Sequence, residues 1–173
     1  MAGLNKKKIE NLFKLLNQEL NRSDIQGEVY LVGGAVMCLV FDARQSTQDI
    51  DAYFKPSNKI REAAARVGIK ANVDPKWLND GVKGFLSNTG TFAPFLELSN
   101  LKIFTAQADY LLAMKCLAMR IGEEFYDLDD IRYLLRYLNI DSYDEAVETI
   151  SSYYPLDKFP QKTLYALQEL LNT

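Results

Sequence analysis

Apolar residues recur along this chain at two different spacings, and the change from one to the other divides it. Over residues 6–20, Ile9, Leu12, Phe13, Leu16 and Leu20 fall three and four apart, which predicts a helix with one buried stripe and leaves Lys6, Lys7 and Lys8 on its solvated face. Residues 28–32 form a short β-rich run that stops at Gly33-Gly34, and the apolar stretch 35–41 behind it reads as a buried helix. Residues 50–54 predict a second strand closed by Lys55-Pro56; Ser57 then caps a helix running to about Val67, with Gly68 ending it. A third short strand is expected at 69–71, a helix start at Asp74-Pro75 for Lys76 to Asn79, and a loop over 80–91. Residues 95–98 and 101–105 suggest a hairpin around Ser99-Asn100.

From residue 106 onward only the helical period remains, over 106–121, 128–138, 142–153 and, after Pro160, 161–171. The expected organisation is an α/β (α+β) half, residues 1–105, followed by a C-terminal helical half, 106–173, with no Pro/Ser-rich linker to keep the two from packing. The runs 29–31 and 50–53 are expected side by side in one mixed sheet, with the helix after Gly34 on one of its faces.

Composition narrows the chemistry. Twenty basic against 23 acidic residues give a net charge of −3, so any contact with a polyanion must be local. No signal-peptide pattern or membrane-length apolar run is present, which points to a cytoplasmic protein with no membrane partner, whose Cys38 and Cys116 are buried thiols. The chain has no histidine, which removes Ser-His and Cys-His nucleophiles, histidine bases and the usual zinc sites together. What is left is carboxylates, lysine, arginine, hydroxyls, backbone amides and a hard metal ion.

Asp49-Ile50-Asp51 is the first candidate. On a strand Asp49 and Asp51 point the same way, about 7 Å apart along the backbone, and two such carboxylates repel unless a cation or proton lies between them. Magnesium suits that pair; the plainer alternative is a loop end followed by an exposed edge residue. Gly33-Gly34, between strand and helix, lets backbone approach a phosphate or is simply a tight corner. Arg44 and Thr47 offer a guanidinium fork and a hydroxyl, or are a solvated residue and a strand start. Lys115 lies in a helix apolar nearly all round and must snorkel or find an anion, with the metal-site carboxylates or a phosphate as partners. Arg120 suits its helix C-terminus, and Asp127 and Asp130 share a face in the first turn of the next helix, as caps or as site residues. Glu97 is the candidate for a third carboxylate on a neighbouring strand.

Together, Gly33-Gly34, Arg44-x-x-Thr47-x-Asp49-x-Asp51, Lys115-x-x-x-x-Arg120 and Asp127-x-x-Asp130 resemble the nucleotidyltransferase superfamily. The resemblance is strongest to small bacterial proteins related to the AbiEii abortive-infection toxins. Trp77-Leu78-Asn79-Asp80 and the run from Leu111 to Lys115 look like one uncharacterised branch of that group. The likeness covers about residues 29–135 and implies a nucleotidyltransferase-like mixed sheet flanked by helices and followed by a helical bundle. It implies transfer of a nucleoside monophosphate from a nucleoside triphosphate to an RNA or protein acceptor, with Mg2+ (or Mn2+) held by Asp49 and Asp51. Gly34 and Ala35 would meet phosphate, Lys115 the triphosphate, and Asp127 or Asp130 the acceptor or the nucleotide. The turn departs from the frequent Gly-Ser in having Ala35 after Gly34. A toxin with a cognate antitoxin is the implied setting; the alternative is a catalytically silent nucleotide-binding or protein-interaction module on the same fold.

Overall fold

The computed structural model describes residues 3–119 and 127–172. The chain divides into two compact units, Met1–Gly84 with Phe92–Ala106 and Phe85–Thr91 with Gln107–Thr173. The loop segment 85–91 thus groups with the helices, although it precedes residue 105 in sequence.

The first unit is built on β1 (Leu4–Asn5), α1 (Lys6–Arg22), β2 (Gly27–Val32), α2 (Gly34–Leu39), β3 (Ser46–Thr47), β4 (Ile50–Lys55), α3 (Ser57–Lys70), β5 (Leu78–Asn79), β6 (Phe92–Glu97) and β7 (Leu101–Ala106), with a 3-10 turn at Gly81–Phe85. Five strands form one mixed sheet in the order β5-β4-β2-β7-β6, and β1 with β3 makes a separate two-stranded ladder. β2 is antiparallel to β4 and parallel to β7; β5 is parallel to β4 and β6 antiparallel to β7. The expected mixed α/β class is the observed one.

Strand alternation decides which face is core. Val29, Leu31, Ile50, Ala52, Phe54, Leu101 and Ile103 are buried, whereas Tyr30, Asp51 and Tyr53 between them keep exposure. α1 and α3 cover the buried face: a Cβ added to Gly27 would meet Ile60 Cδ1 at 2.9 Å and Leu20 Cδ1 at 3.1 Å. The two helices are also tied by the buried Glu19, whose carboxylate accepts a hydrogen bond from Lys70, with Arg66 and Arg22 at 4.0 and 3.7 Å. The Lys70 hydrogen bond is the main reason the Glu19 carboxyl is held below the usual glutamate pKa range.

Two local expectations are corrected. Residues 69–71 are not a strand, because α3 runs through Gly68 to Lys70 and closes with Asn72 in the left-handed region, φ 57°. The Val73 amide donates to the Gly68 carbonyl at 2.9 Å and Asn72 to Ile69 at 3.3 Å, the paired bonds of a Schellman close. Gly68 is required for packing: a Cβ there would lie 2.8 Å from Pro75 Cα, 2.9 Å from the Asp74 carbonyl oxygen and 3.0 Å from Trp77 Cδ1. Likewise Asp74-Pro75 opens a turn, not a helix. It delivers Trp77 into the core, where Nε1 donates to the Ala64 carbonyl at 2.7 Å, and Leu78–Asn79 onto the sheet edge.

The second unit contains α4 (Ala108–Leu117), α5 (Asp127–Tyr137), α6 (Tyr143–Ser151) and α7 (Gln161–Leu171), with a 3-10 turn at Leu156–Lys158. Segment 85–91 is bound to it by polar contacts: Ser87 donates from its amide to Tyr110 Oη at 3.0 Å, Thr89 Oγ1 to the Ser152 carbonyl at 3.0 Å, and Tyr154 Oη to the Phe85 carbonyl at 2.6 Å.

The packing role of Gly68 predicts that Gly68→Ala, normally helix-favouring, lowers stability in urea unfolding by roughly 1–3 kcal/mol, since the neighbours it strikes are backbone atoms. A gain in stability would restore the helix-stop reading.

Candidate functional site

Cross-strand register assembles the first cluster. Val32, the last residue of β2, faces Asp51 of β4, and Asp51 faces Asn79 of β5. The chain turns immediately after Val32 at Gly33, φ 70°, where a Cβ would stand 3.1 Å from Asp51 Oδ2. Glycine is needed here twice, for the left-handed backbone and for the approach of the carboxylate. Asp49, one residue before β4 and on the same side as Asp51, accepts a hydrogen bond from Asn79 Nδ2 at 3.2 Å.

The next turn residue is equally confined. A Cβ on Gly34 would lie 2.5 Å from Arg44 Nη1 and 2.9 Å from Thr47 Oγ1. Arg44 and Thr47 therefore lie directly over the glycine backbone, and Thr47 Oγ1 also donates to the Asp49 carbonyl at 3.1 Å. The β1–β3 ladder fixes this segment through Leu4 opposite Thr47 and Asn5 opposite Ser46, while Asn5 accepts from the Lys8 amide and starts α1. Ala35 follows in the first turn of α2 and is buried. Gly33, Gly34, Arg44, Thr47, Asp49 and Asp51 thus stand together. Asn79 joins them unforeseen; its signal was the Trp77-Leu78-Asn79-Asp80 run, whose edge-strand pairing the helix expectation concealed.

Glu97 does not join them. It pairs in register with Lys102, which faces Glu28, which faces Lys55, four residues along β4 from Asp51. Its side chain is exposed and lies 3.8 Å from Lys102 Nζ. Among the described residues no group of three His, Cys, Asp or Glu is arranged to hold a metal.

The second unit carries its own ionic cluster. Lys115 Nζ on α4 lies 2.8 Å from Asp130 Oδ2 and 3.4 Å from Asp127 Oδ1 on α5, and the lysine and both aspartates are buried. The anion that an apolar helix demands of Lys115 comes from the next helix. Arg120 lies outside the described residues. Cys38 and Cys116 are both buried; burial raises the Cys38 thiol and pushes Cys116 up to about 12, so neither is a ready nucleophile.

A glycine turn closed against strand carboxylates on a mixed sheet is the arrangement that the sequence likeness anticipated for a nucleotide-transferring protein. A model of the family described as "Nucleotidyltransferase of unknown function (DUF6036)" matches residues 7–158, and the chain belongs to that family. No curated protein and no solved structure matches it. No helix among the described residues is long and apolar enough to cross a membrane.

The burial of Lys115 gives a test of its pairing. Lys115→Met removes a buried ammonium from beside two buried carboxylates and should lower stability by about 3–5 kcal/mol in denaturant unfolding. Adding Asp127→Asn and Asp130→Asn should recover a large part of that loss; equal losses in the single and triple variants would mean that the cluster is not an energetic unit.

Proposed function

We propose that this chain is a metal-dependent nucleotidyltransferase in which Asp49 and Asp51 are the metal ligands. The observation that carries the reading is the closure of Gly33 onto Asp51 with Asn79 orienting Asp49. The donor set fits a hard divalent ion: two carboxylates on one side of a strand, with no sulfur or imidazole ligand to select a softer metal. Bound there, Mg2+ or Mn2+ would neutralise charge on the triphosphate oxygens.

The chain's own residues divide the remaining work. The backbone of Gly33, Gly34 and Ala35 receives the phosphates at the turn, and Arg44, seated over Gly34, contributes its guanidinium beside them. Thr47 holds the loop that presents Asp49. In the transfer the acceptor hydroxyl oxygen bonds to the α-phosphorus, the bond from that phosphorus to the β-phosphate oxygen breaks, and pyrophosphate leaves. The hydroxyl proton passes to a carboxylate oxygen of Asp51, the more enclosed of the pair. For Lys115, Asp127 and Asp130 the reading is a functional ionic cluster of the helical unit, supported by the burial of all three side chains. An RNA or protein acceptor and a toxin role with a cognate antitoxin complete the proposal, on the strength of the sequence likeness.

The deciding experiment incubates the protein with each α-labelled triphosphate, Mg2+ and total cell RNA, and resolves labelled RNA from labelled protein. Asp49→Asn with Asp51→Asn should abolish labelling and any growth inhibition on expression, while relief of carboxylate repulsion leaves stability unchanged or higher. Labelling at the wild-type rate by the double variant refutes the metal site. No labelling by either protein favours the silent-module reading.

A further inference from the structure

The sheet face that carries Asp51 also carries a row of rings. Tyr53 of β4 faces Tyr30 of β2, and Tyr30 faces Phe104 of β7. The Tyr30 and Phe104 rings stack at 4.7 Å and 10°, Phe92 meets Tyr30 edge-on at 5.2 Å, and Tyr53 lies 5.9 Å from Tyr30. The central ring is thus braced by three others, while Tyr53 at the margin is 38% exposed. Burial, assisted by a hydrogen bond to Glu28, pushes the Tyr30 phenol up to about 12, so this central ring is uncharged at neutral pH. The following row alternates in charge, with Lys55 3.6 Å from Glu28 and Lys102 3.8 Å from Glu97, and both lysine side chains are 55% exposed.

The order of these features along the strands is informative. From the Gly33 turn the face runs to Asp51 and then, about 7 Å further, to Tyr53. In phosphoryl transfer the entering and leaving oxygens lie roughly in line. With pyrophosphate leaving toward the glycine turn, the acceptor oxygen enters from the other side of the carboxylates, where the rings begin.

We propose that Tyr53, beside a Tyr30 ring that Phe104 and Phe92 hold in place, is the stacking platform for the terminal base of a single-stranded polynucleotide acceptor, with Lys55 and Lys102 meeting its phosphates. This rests on the nucleotidyl-transfer reading for its direction. The choice of a polynucleotide over a protein acceptor follows from the chemistry displayed: a flat ring matches a base of any sequence, and the half-exposed ammonium groups of the next row can exchange their Glu28 and Glu97 partners for the phosphates of a phosphodiester chain. In a chain of net charge −3 such a contact has to be local, as this one is.

The test measures fluorescence anisotropy of labelled oligo(U) and oligo(A) ribonucleotides on the full chain, with triphosphate affinity measured in parallel by calorimetry. Tyr53→Ala should weaken oligonucleotide binding roughly 5- to 150-fold, the range for loss of one stacked base, and leave triphosphate affinity as it is. Tyr53→Phe keeps the ring and should bind like wild type. Because Tyr53 is at the surface, circular dichroism should show both variants folded. Unchanged oligonucleotide affinity in Tyr53→Ala overturns the proposal, as does loss of triphosphate affinity instead, which would make the platform the donor base's. A wild-type protein that binds no oligonucleotide but labels a protein overturns it in favour of a protein acceptor. The two readings separate cleanly: Tyr53-dependent oligonucleotide binding without any label transfer keeps the platform and removes the enzyme, whereas label transfer with Tyr53-independent binding does the reverse.

Discussion

The antiparallel pairing of β2 with β4, in the register that sets Val32 against Asp51, is the constraint on which the candidate site depends. Side chains on a strand alternate, so a slip of one residue would turn Asp51 into the face packed by Leu20 and Ile60 and bring Ile50 and Ala52 out. The buried residues on both strands prevent that slip. Hydrophobic burial on one face thereby aims two carboxylates on the other, and the chain reversal at Gly33 then lies beside them. Packing and site geometry here have one cause.

Much of this was legible because it is local. The apolar stripe of α1, the strand-turn-helix at Gly33-Gly34, the alternation through Asp49-Ile50-Asp51 and the helical period after residue 106 all follow from neighbours in sequence. What escaped depends on contacts between distant segments. Gly68 reads as a helix stop until Pro75 and Trp77 are seen to fold back over it. Asn79 reads as part of a helix until pairing with β4 puts it opposite Asp51. Glu97 shows the limit from the other side: a strand glutamate near the end of a hairpin has a face and a register, but the sequence does not tell which row it shares. Its row is that of Lys102 and Glu28.

The two ionic arrangements differ in how they are solvated, and so in what they do for the fold. Glu19 on α1, itself buried, meets three cations whose side chains are about half exposed or more, so water screens the positive side of each pair and its contribution is small. Lys115, Asp127 and Asp130 have at most 9% of their side chains exposed. With little water to screen them, the attraction of one ammonium for two carboxylates is set against a large desolvation cost, and removal of any partner is felt by the others. Sequence alone left Lys115 to snorkel or to find an anion, with the Asp49-Asp51 carboxylates or a phosphate expected; its partners are instead Asp127 and Asp130, because α5 packs against α4.

On β7 the positions sharing the Asp51 face are Lys102, Phe104 and Ala106, so that strand contributes no acid to it. This changes what the proposed site asks of its substrate. A hard divalent ion held by two carboxylates must complete its shell with water and phosphate oxygens. On the transfer reading, metal and triphosphate therefore bind as mutually dependent ligands, and by linkage each raises the affinity of the other by the same factor. Phe104 on that face continues the ring row from Tyr53 and Tyr30. On that reading, the strand that adds no carboxylate to this face adds apolar surface to it instead, on which a base would lie.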